Sequence, residues 1–422
     1  MNTFQPYLIS HIYLNESLSE PKIDLNKNSH YLVFWWQQIP LGDLFIEPEK
    51  PFLNNWYNHE LIKSISPTIN FYARRGDSSD EAWINLIIKN DLKEFREWMD
   101  DLLKPWIVPI LPDFVPVSII VCTRNRASYL KNCLQALHQL KCRAEEIIVV
   151  DNAPTNTTTK EVAEQFAGVK YVIEPRGGLD VARNTGVLQA NCSVVAYIDD
   201  DVTLHPLFTY NVWQAFQDET VSAMTGLVIA ARLDTKAQLI FEKFWSFNRG
   251  YVDVVYDESF FNTRMLQGPP VWEIGAGANM AFRKSIFLKA GYFNELLDAG
   301  AAGCNGDSEM WFRILLNGGK ILYNPRIVVW HEHRREMKEF IQQIYYYMRG
   351  FTVAALCQQE QTPMAGYKKK IAEYPRGFAQ KIMRGFPAYN NEYKTLTAEI
   401  RGVIAGLFFF HRHKKRLLKK GM

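Results

Sequence analysis

Apolar residues in the middle of the chain fall into short continuous runs that end in polar residues. Between these runs apolar positions recur every three or four residues. Residues 117–123, 146–151, 169–173 and 194–199 form such continuous runs, rich in Val and Ile, and read as buried strands. Residues 129–140 carry Leu130, Cys133, Leu134 and Leu137 at helical spacing, and residues 158–166 and 179–189 repeat the pattern. Strands alternating with helices predict an α/β fold: a Rossmann-type, mostly parallel, doubly wound sheet flanked by helices.

The flanking regions read differently. Residues 1–113 predict an α+β accessory module. It holds a strand at residues 30–36, leading into Ile39-Pro40-Leu41-Gly42, and a helical stretch at residues 80–103 built on Trp83, Leu86, Ile87, Phe95 and Trp98. Pro105 and the run Pro109-Ile110-Leu111-Pro112-Asp113 read as a linker. No chemistry is visible in this module, and its isolated His11, His30 and His59 read as structural. Residues 114–349 then form the principal domain and residues 350–422 a helical, basic C-terminal segment.

Charge sharpens the reading of that segment. The whole chain has a formal net charge of +3, but from Met364 onward fourteen Lys or Arg face three acids. Ile404-Ala405-Gly406-Leu407-Phe408-Phe409-Phe410 precedes the basic run His411 to Lys420, and an apolar wedge beside basic residues suits an anionic membrane surface better than nucleic acid. Six cysteines are scattered without CxxC spacing, which points to a reduced, cytoplasmic protein. No secretory leader and no span of about 18 apolar residues is expected, so membrane association would be peripheral, on the inner face.

The chemistry concentrates at strand ends, where α/β sheets bind ligands. Asp199, Asp200 and Asp201 close the fourth run of the principal domain, and adjacent carboxylates beside a buried strand call for a cation or solvent to offset their repulsion. Thr123-Arg124-Asn125-Arg126 ends the first run and Asp151-Asn152 the second. Asp151 can accept from the imide N–H of a pyrimidine, and Arg126 or Arg183 can pair with phosphate. Neither GxGxxG after a strand nor GxxxxGK[ST] is present, so dinucleotide and P-loop sites lack their phosphate cradle.

Taken in order, these segments resemble the nucleotide-sugar-binding half of family-2 glycosyltransferases, which have the GT-A fold. The resemblance runs from about Val115 to Arg349. It rests on residues 116–126, Glu145 to Asn152, Gly177-Gly178-Leu179-Asp180-Val181-Ala182-Arg183-Asn184-Thr185-Gly186, Tyr197-Ile198-Asp199-Asp200-Asp201 and Gly275-Ala276-Gly277-Ala278-Asn279-Met280. It implies an inverting transfer of sugar from a nucleotide-sugar, UDP-sugar favoured, with Mn²⁺ or Mg²⁺ on the diphosphate. Asp201 would be the direct metal ligand, and Asp199 or Asp200 would contact the ribose or a metal-bound water. Thr123, Arg126 and Asp151 would frame the nucleoside, Arg183 would lie near the diphosphate, and Gly277 would let backbone approach the donor sugar or acceptor.

The same resemblance implies that Asp307, in Asn305-Gly306-Asp307-Ser308-Glu309, is the general base, with Gly306 replacing the Glu usual before it. Asp-Ser-Glu before an apolar helix also reads as a cap, and both roles can hold. His331, after the strand at residues 327–329, is the candidate third metal ligand, with an imidazole favouring Mn²⁺. Trp272 and Glu273 line the acceptor side. The Gln-x-x-Arg-Trp signature of processive synthases is absent, which implies one sugar per encounter. The expected partners are a nucleotide-sugar, a carbohydrate or lipid-linked acceptor and an anionic membrane surface. Two alternatives remain: an inactive GT-A-fold binding protein, and a sugar nucleotidyltransferase, which would need a glycine-rich loop where Thr123 to Arg126 has no glycine.

Overall fold

The structure is a computed structural model that describes residues 4–22, 28–47, 55–75, 82–108 and 110–418. The N-terminal region forms a three-stranded sheet of β1 (Tyr7–Tyr13), β2 (Ser29–Trp36) and β3 (Ile39–Ile46), with β2 in the centre. Every residue of β2 is buried, because both its faces are covered. Leu32, Phe34 and Trp36 pack against the helices Trp56–Arg75, Ala82–Ile88 and Leu92–Leu103. Tyr31, Val33 and Trp35 pack against Leu227, Ile229 and Val328 of the main sheet. Trp35 lies flat on His205, with ring centres 5.6 Å apart and planes 3° from parallel. The accessory module therefore shares a core with the principal domain.

Two features of this module depart from the sequence pattern. The helical stretch at residues 80–103 is two helices, broken where Asn90 takes a φ of 55° and the Asp91 side chain accepts from the Glu94 N–H, starting a new helix; Asp80 lies outside the described residues. The helix Trp56–Arg75 lies outside the expected elements, although it buries Tyr57, Leu61, Ile65, Ile69 and Tyr72 at helical spacing; Pro67 sits within it.

The main sheet has nine strands: β4 (Phe114–Thr123), β5 (Arg143–Asn152), β6 (Val169–Glu174), β7 (Val194–Asp199), β8 (Val202–Leu204), β9 (Val221–Ala230), β10 (Val254–Tyr256), β11 (Asn279–Arg283) and β12 (Lys320–His331). Its order is β10-β12-β9-β11-β7-β4-β5-β6, with β8 added on β12. The strands β4 to β7 pair in parallel, as the alternating pattern predicts. The antiparallel β11 interrupts this run, and β9 and β12 then resume the original direction. Alternate residues serve the two faces: Ile120, Ile148, Val195 and Tyr197 face one layer, Ile119, Val121, Ala196 and Ile198 the other.

The order places the chemistry. Successive crossovers from β4 go to opposite sides, with β5 on one flank and β7 on the other, so a crevice opens at the carboxyl ends of β4 and β7. Cys122 pairs with Asp199 there. The short β8 lies antiparallel to β12, setting Val202 against His331 and bringing the end of a distant strand beside the aspartates.

The C-terminal region is helical, as expected, with helices Met337–Gln361, Tyr367–Gly385 and Leu396–Leu417. Residue 349 falls inside the first of these, so no break separates it from the sheet domain. The last helix packs along the first. A Cβ at Gly406 would stand 2.8 Å from the Arg349 carbonyl oxygen, so glycine permits the close approach. The apolar wedge is largely used in this packing: Phe410 is 3% exposed, whereas Phe408 is 73% exposed. Lys419 and Lys420 lie outside the described residues.

Gly306 opens the helix Gly306–Leu316, and a Cβ there would stand 2.0 Å from Oδ2 of Asp180. The Asp180 carboxylate fills the space of any side chain at this position. Gly306→Ala is therefore expected to lower stability by about 1–3 kcal/mol through overpacking. In urea unfolding, the loss should be recovered when Asp180→Ala is added, a coupling measured by the double-mutant cycle.

Candidate active site

The aspartate triplet divides its work by geometry. Asp200 points inward, where it accepts from Thr123 Oγ1 at 2.6 Å and from Arg126 Nη1 at 2.5 Å. Its burial outweighs the nearby Arg126 and lifts its pKa to about 7. Asp201 takes the other arm of Arg126, with Nη2 to Oδ2 at 2.7 Å. Its second oxygen, Oδ1, is buried without a hydrogen-bond donor and lies 3.3 Å from His331 Nε2. Asp199 Oδ2 lies 4.0 Å from the same nitrogen.

Asp199, Asp201 and His331 thus present two carboxylates and an imidazole whose ligand atoms lie within 4.8 Å of one another. A buried carboxylate oxygen without a hydrogen-bond donor, facing an imidazole nitrogen, fits a divalent cation, and an O,O,N donor set suits Mn²⁺. Titration points the same way. Burial lowers the pKa of His331, but Asp201 and Asp199 outweigh it and the net shift is upward, so the site draws in positive charge. Burial likewise opposes ionisation of Asp201, but His331 and Arg126 hold its carboxyl well below the usual range.

Behind His331 runs a relay invisible in sequence. His331 Nδ1 lies 3.2 Å from His333 Nδ1, and His333 Nε2 lies 2.8 Å from Glu242 Oε2. With Glu242 accepting from His333 Nε2–H, His333 Nδ1 accepts from His331 Nδ1–H. The Nε2 lone pair of His331 is then left facing the carboxylates. His333 sits two residues beyond His331, a signal that could have been used. Glu242 comes from the helix Lys236–Phe244, and nothing local marks it.

Asp307 lines the same crevice, in the first turn of its helix. Oδ1 accepts from the Ser308 N–H at 2.7 Å and Oδ2 from the Gly277 N–H at 2.8 Å. Asn305 is the residue that caps this helix, in the left-handed conformation with φ 73°. Burial and the charge of Asp298 raise the Asp307 pKa, only partly offset by Arg183 and the two backbone donors. Gly277 is required here: a Cβ would meet Arg183 Nη2 at 2.7 Å and Asp307 Oδ2 at 3.2 Å.

Arg183 is buried, and its Nη1 pairs with Asp180 Oδ1 at 2.9 Å and Asp298 Oδ2 at 2.6 Å. Its charge is thus spent on neighbouring carboxylates beneath Asp307, although it still borders the cavity. Neither Asp180 nor Asp298 was foreseen as part of the site.

These walls enclose one open cavity of about 1100 Å³, larger than the roughly 300–1,000 Å³ of most small-molecule sites and roomy enough for two substrates. Thr123, Arg126, Arg183, Asp199, Asp200, Asp201, Gly277, Asp307 and His331 all line it. Asp151 is not on its wall. It is fully buried at the end of β5, where Oδ2 accepts from Tyr171 at 2.7 Å and Oδ1 has no partner, and its neighbour Asn152 lines the cavity instead. Trp272 and Glu273 lie on the side expected for an acceptor, joined there by Phe351 and Tyr374.

Comparison with known proteins agrees with this geometry. The family model described as glycosyl transferase family 2 matches residues 118–291. A pre-mycofactocin glycosyltransferase of Mycobacterium tuberculosis is 22% identical over 240 residues, 57% of this chain and 47% of that protein. Glycosyltransferase AglE of Haloferax volcanii is 28% identical over 192 residues, 44% of this chain and 58% of that one. The chain thus spans about half the length of these relatives. Among solved structures, the mannosyltransferase PcManGT from Pyrobaculum calidifontis, in complex with GDP-Man and Mn²⁺, aligns with a TM-score of 0.45 at 16% identity, covering 74% of this chain and 93% of that chain. Residues 118–291, which carry the triplet and the parallel strands, match the glycosyl transferase family 2 model, and together with these relatives they support a family-2 glycosyltransferase.

Proposed function

We propose that the protein is a metal-dependent, inverting glycosyltransferase that moves a single sugar from a nucleotide-sugar, a UDP-sugar in the first instance, to a hydroxyl acceptor. The observation that carries this reading is the pairing of the Asp199–Asp201–His331 cluster with Asp307 in the wall of one cavity. A divalent cation held by Asp201, Asp199 and His331 would neutralise charge on the departing diphosphate. Thr123 and Arg126 fix the triplet through Asp200, whereas Asp151, buried off the cavity wall, has no access to the base. Arg183 would act chiefly from beneath, holding the carboxylate layer together.

Asp307 would take the acceptor proton through a carboxylate oxygen. Its two backbone donors fix the direction of the carboxylate, and its raised pKa makes it a stronger base than an exposed aspartate. A single base on the face opposite the leaving group gives displacement with inversion. Transfer should fall as pH drops through the raised Asp307 pKa, since the protonated acid cannot accept, with the inflection above the ordinary aspartate range. Asp307→Asn should lower transfer by about 10²–10⁴-fold and abolish that acidic limb, while leaving Mn²⁺-dependent nucleotide binding, read by calorimetry, in place. Asp201→Ala should instead lose the Mn²⁺ dependence of nucleotide binding together with turnover.

We also propose that the enzyme works against the inner face of the cell membrane, near a lipid-linked or cell-envelope acceptor. Among the described residues, no helix is long and apolar enough to cross a membrane. The helix Tyr367–Gly385 and its following turn expose Met383 at 68%, Phe386 at 74% and Tyr389 at 49%, flanked by exposed Arg376 and Arg384. This tip suits an anionic interface better than the 404–410 wedge, most of which is packed. Met383→Asp with Phe386→Asp should reduce co-sedimentation with phosphatidylglycerol-containing vesicles by about tenfold or more, given about 1.5–3 kcal/mol per large apolar side chain buried. Unchanged partitioning of this variant would refute the membrane placement.

A further inference from the structure

Arg126 and Arg183 both have carboxylate partners in the cavity wall. Arg249, on the same cavity, does not. Its Nη1 donates to the Ser246 carbonyl at 2.8 Å and its Nη2 to the Trp272 carbonyl at 3.1 Å. Its Nε is buried without a partner, and no ion pair joins it to a carboxylate among the described residues. Burial lowers its pKa, while Glu273 and Asp307 act on it only through space. A partly buried guanidinium given only carbonyl acceptors carries a charge without an anionic partner, and a ligand anion at the cavity would complete it.

Trp272, whose carbonyl anchors Arg249, is also the centre of an aromatic wall. Its ring meets Phe351 edge-on at 5.0 Å, and Phe351 meets Tyr374 at 6.1 Å. The ammonium of Lys370 lies 4.6 Å from the centre of the Trp272 ring. Lys370 and Tyr374 come from the exposed helix Tyr367–Gly385, so this wall lies at the cavity edge. Phe247, two residues before Arg249, packs on His331 at 5.9 Å. The segment therefore runs from the metal cluster to the Trp272 wall, ending with Arg249 on the acceptor side.

We propose that this wall is a subsite for a negatively charged acceptor, a sugar carrying a phosphate or carboxylate group, recognised by Arg249 and Lys370 with its ring against the Trp272, Phe351 and Tyr374 side chains. The inference rests on the donor-transfer reading above and adds the acceptor's chemical class to it. Ring faces bury well on aromatic walls, and the guanidinium fork matches either anion bidentately. A neutral sugar would leave Arg249 without an anionic partner, so the subsite discriminates by charge as well as by shape.

The test uses the full chain saturated with Mn²⁺ and whichever of UDP, GDP or dTDP binds best. Glucose 1-phosphate, glucuronic acid and glucose are then titrated as probes by calorimetry. At least one anionic probe should bind about tenfold more tightly than glucose, and comparison of the two distinguishes phosphate from carboxylate recognition. Arg249→Gln and Lys370→Gln should each cut that preference several-fold without weakening the nucleotide. Lys370→Gln lies on an exposed helix and serves alone should Arg249→Gln fail to fold. Equal binding of all three probes, or no binding of either anion at millimolar concentration, overturns the proposal. So does an Arg249→Gln variant that loses nucleotide affinity in parallel, since the guanidinium would then serve the donor diphosphate. A chain that binds no nucleoside diphosphate fails the donor reading instead, and the probes titrated alone still decide this one.

Discussion

Charge compensation inside a cavity of low polarity governs this structure. Six aspartates, Asp180, Asp199, Asp200, Asp201, Asp298 and Asp307, converge from four separate stretches of chain on one crevice. Left alone, so many carboxylates would repel one another strongly. Two arginines divide them: Arg126 bridges Asp200 and Asp201, and Arg183 bridges Asp180 and Asp298. What remains after this division is the chemically useful part. Asp201 keeps one unpaired oxygen toward His331, and Asp307 keeps a carboxylate held by two backbone N–H groups and the Ser308 hydroxyl, with no ion pair.

The fold makes this arrangement affordable through its topology. The crevice between β4 and β7 brings Thr123 and Arg126 to the triplet, and the short β8 draws the end of β12 alongside it. The accessory module contributes from behind, where Trp35 stacks on His205 and meets Trp330, the residue before His331. A region without chemistry of its own thereby stiffens the strand that carries a metal-ligand candidate. The relay from Glu242 through His333 does the same from the other side, fixing one imidazole tautomer.

Glycine positions show how tightly the site is built. Gly277 leaves room for Arg183 beside Asp307, and Gly306 leaves room for the Asp180 carboxylate. Where the family resemblance implies Glu before Asp307, this chain has Gly306, and the Asp180 carboxylate from a different helix occupies the adjoining space. A carboxylate beside Asp307 is therefore retained in space although it is missing from the local motif.

Much of this was legible in the linear pattern. The runs ending at Thr123, Asp151 and Asp199 identified three parallel strands and their polar ends, because a strand buried on both faces must be continuously apolar and its ligand-facing end cannot be. The aspartate triplet stood out because clustered charge after an apolar run has few structural uses, whereas Asp307 and His331 were picked out through the family resemblance. Tertiary structure alone decided which groups share charge. Asp298, Glu242 and Arg249 sit in ordinary helical or loop contexts, and their roles arise from contacts across 91 to 115 residues of chain or, for Arg249, from the lack of a carboxylate partner. Sequence records where charges lie along the chain, but compensation depends on distance and burial, which exist only once the sheet has closed around the crevice.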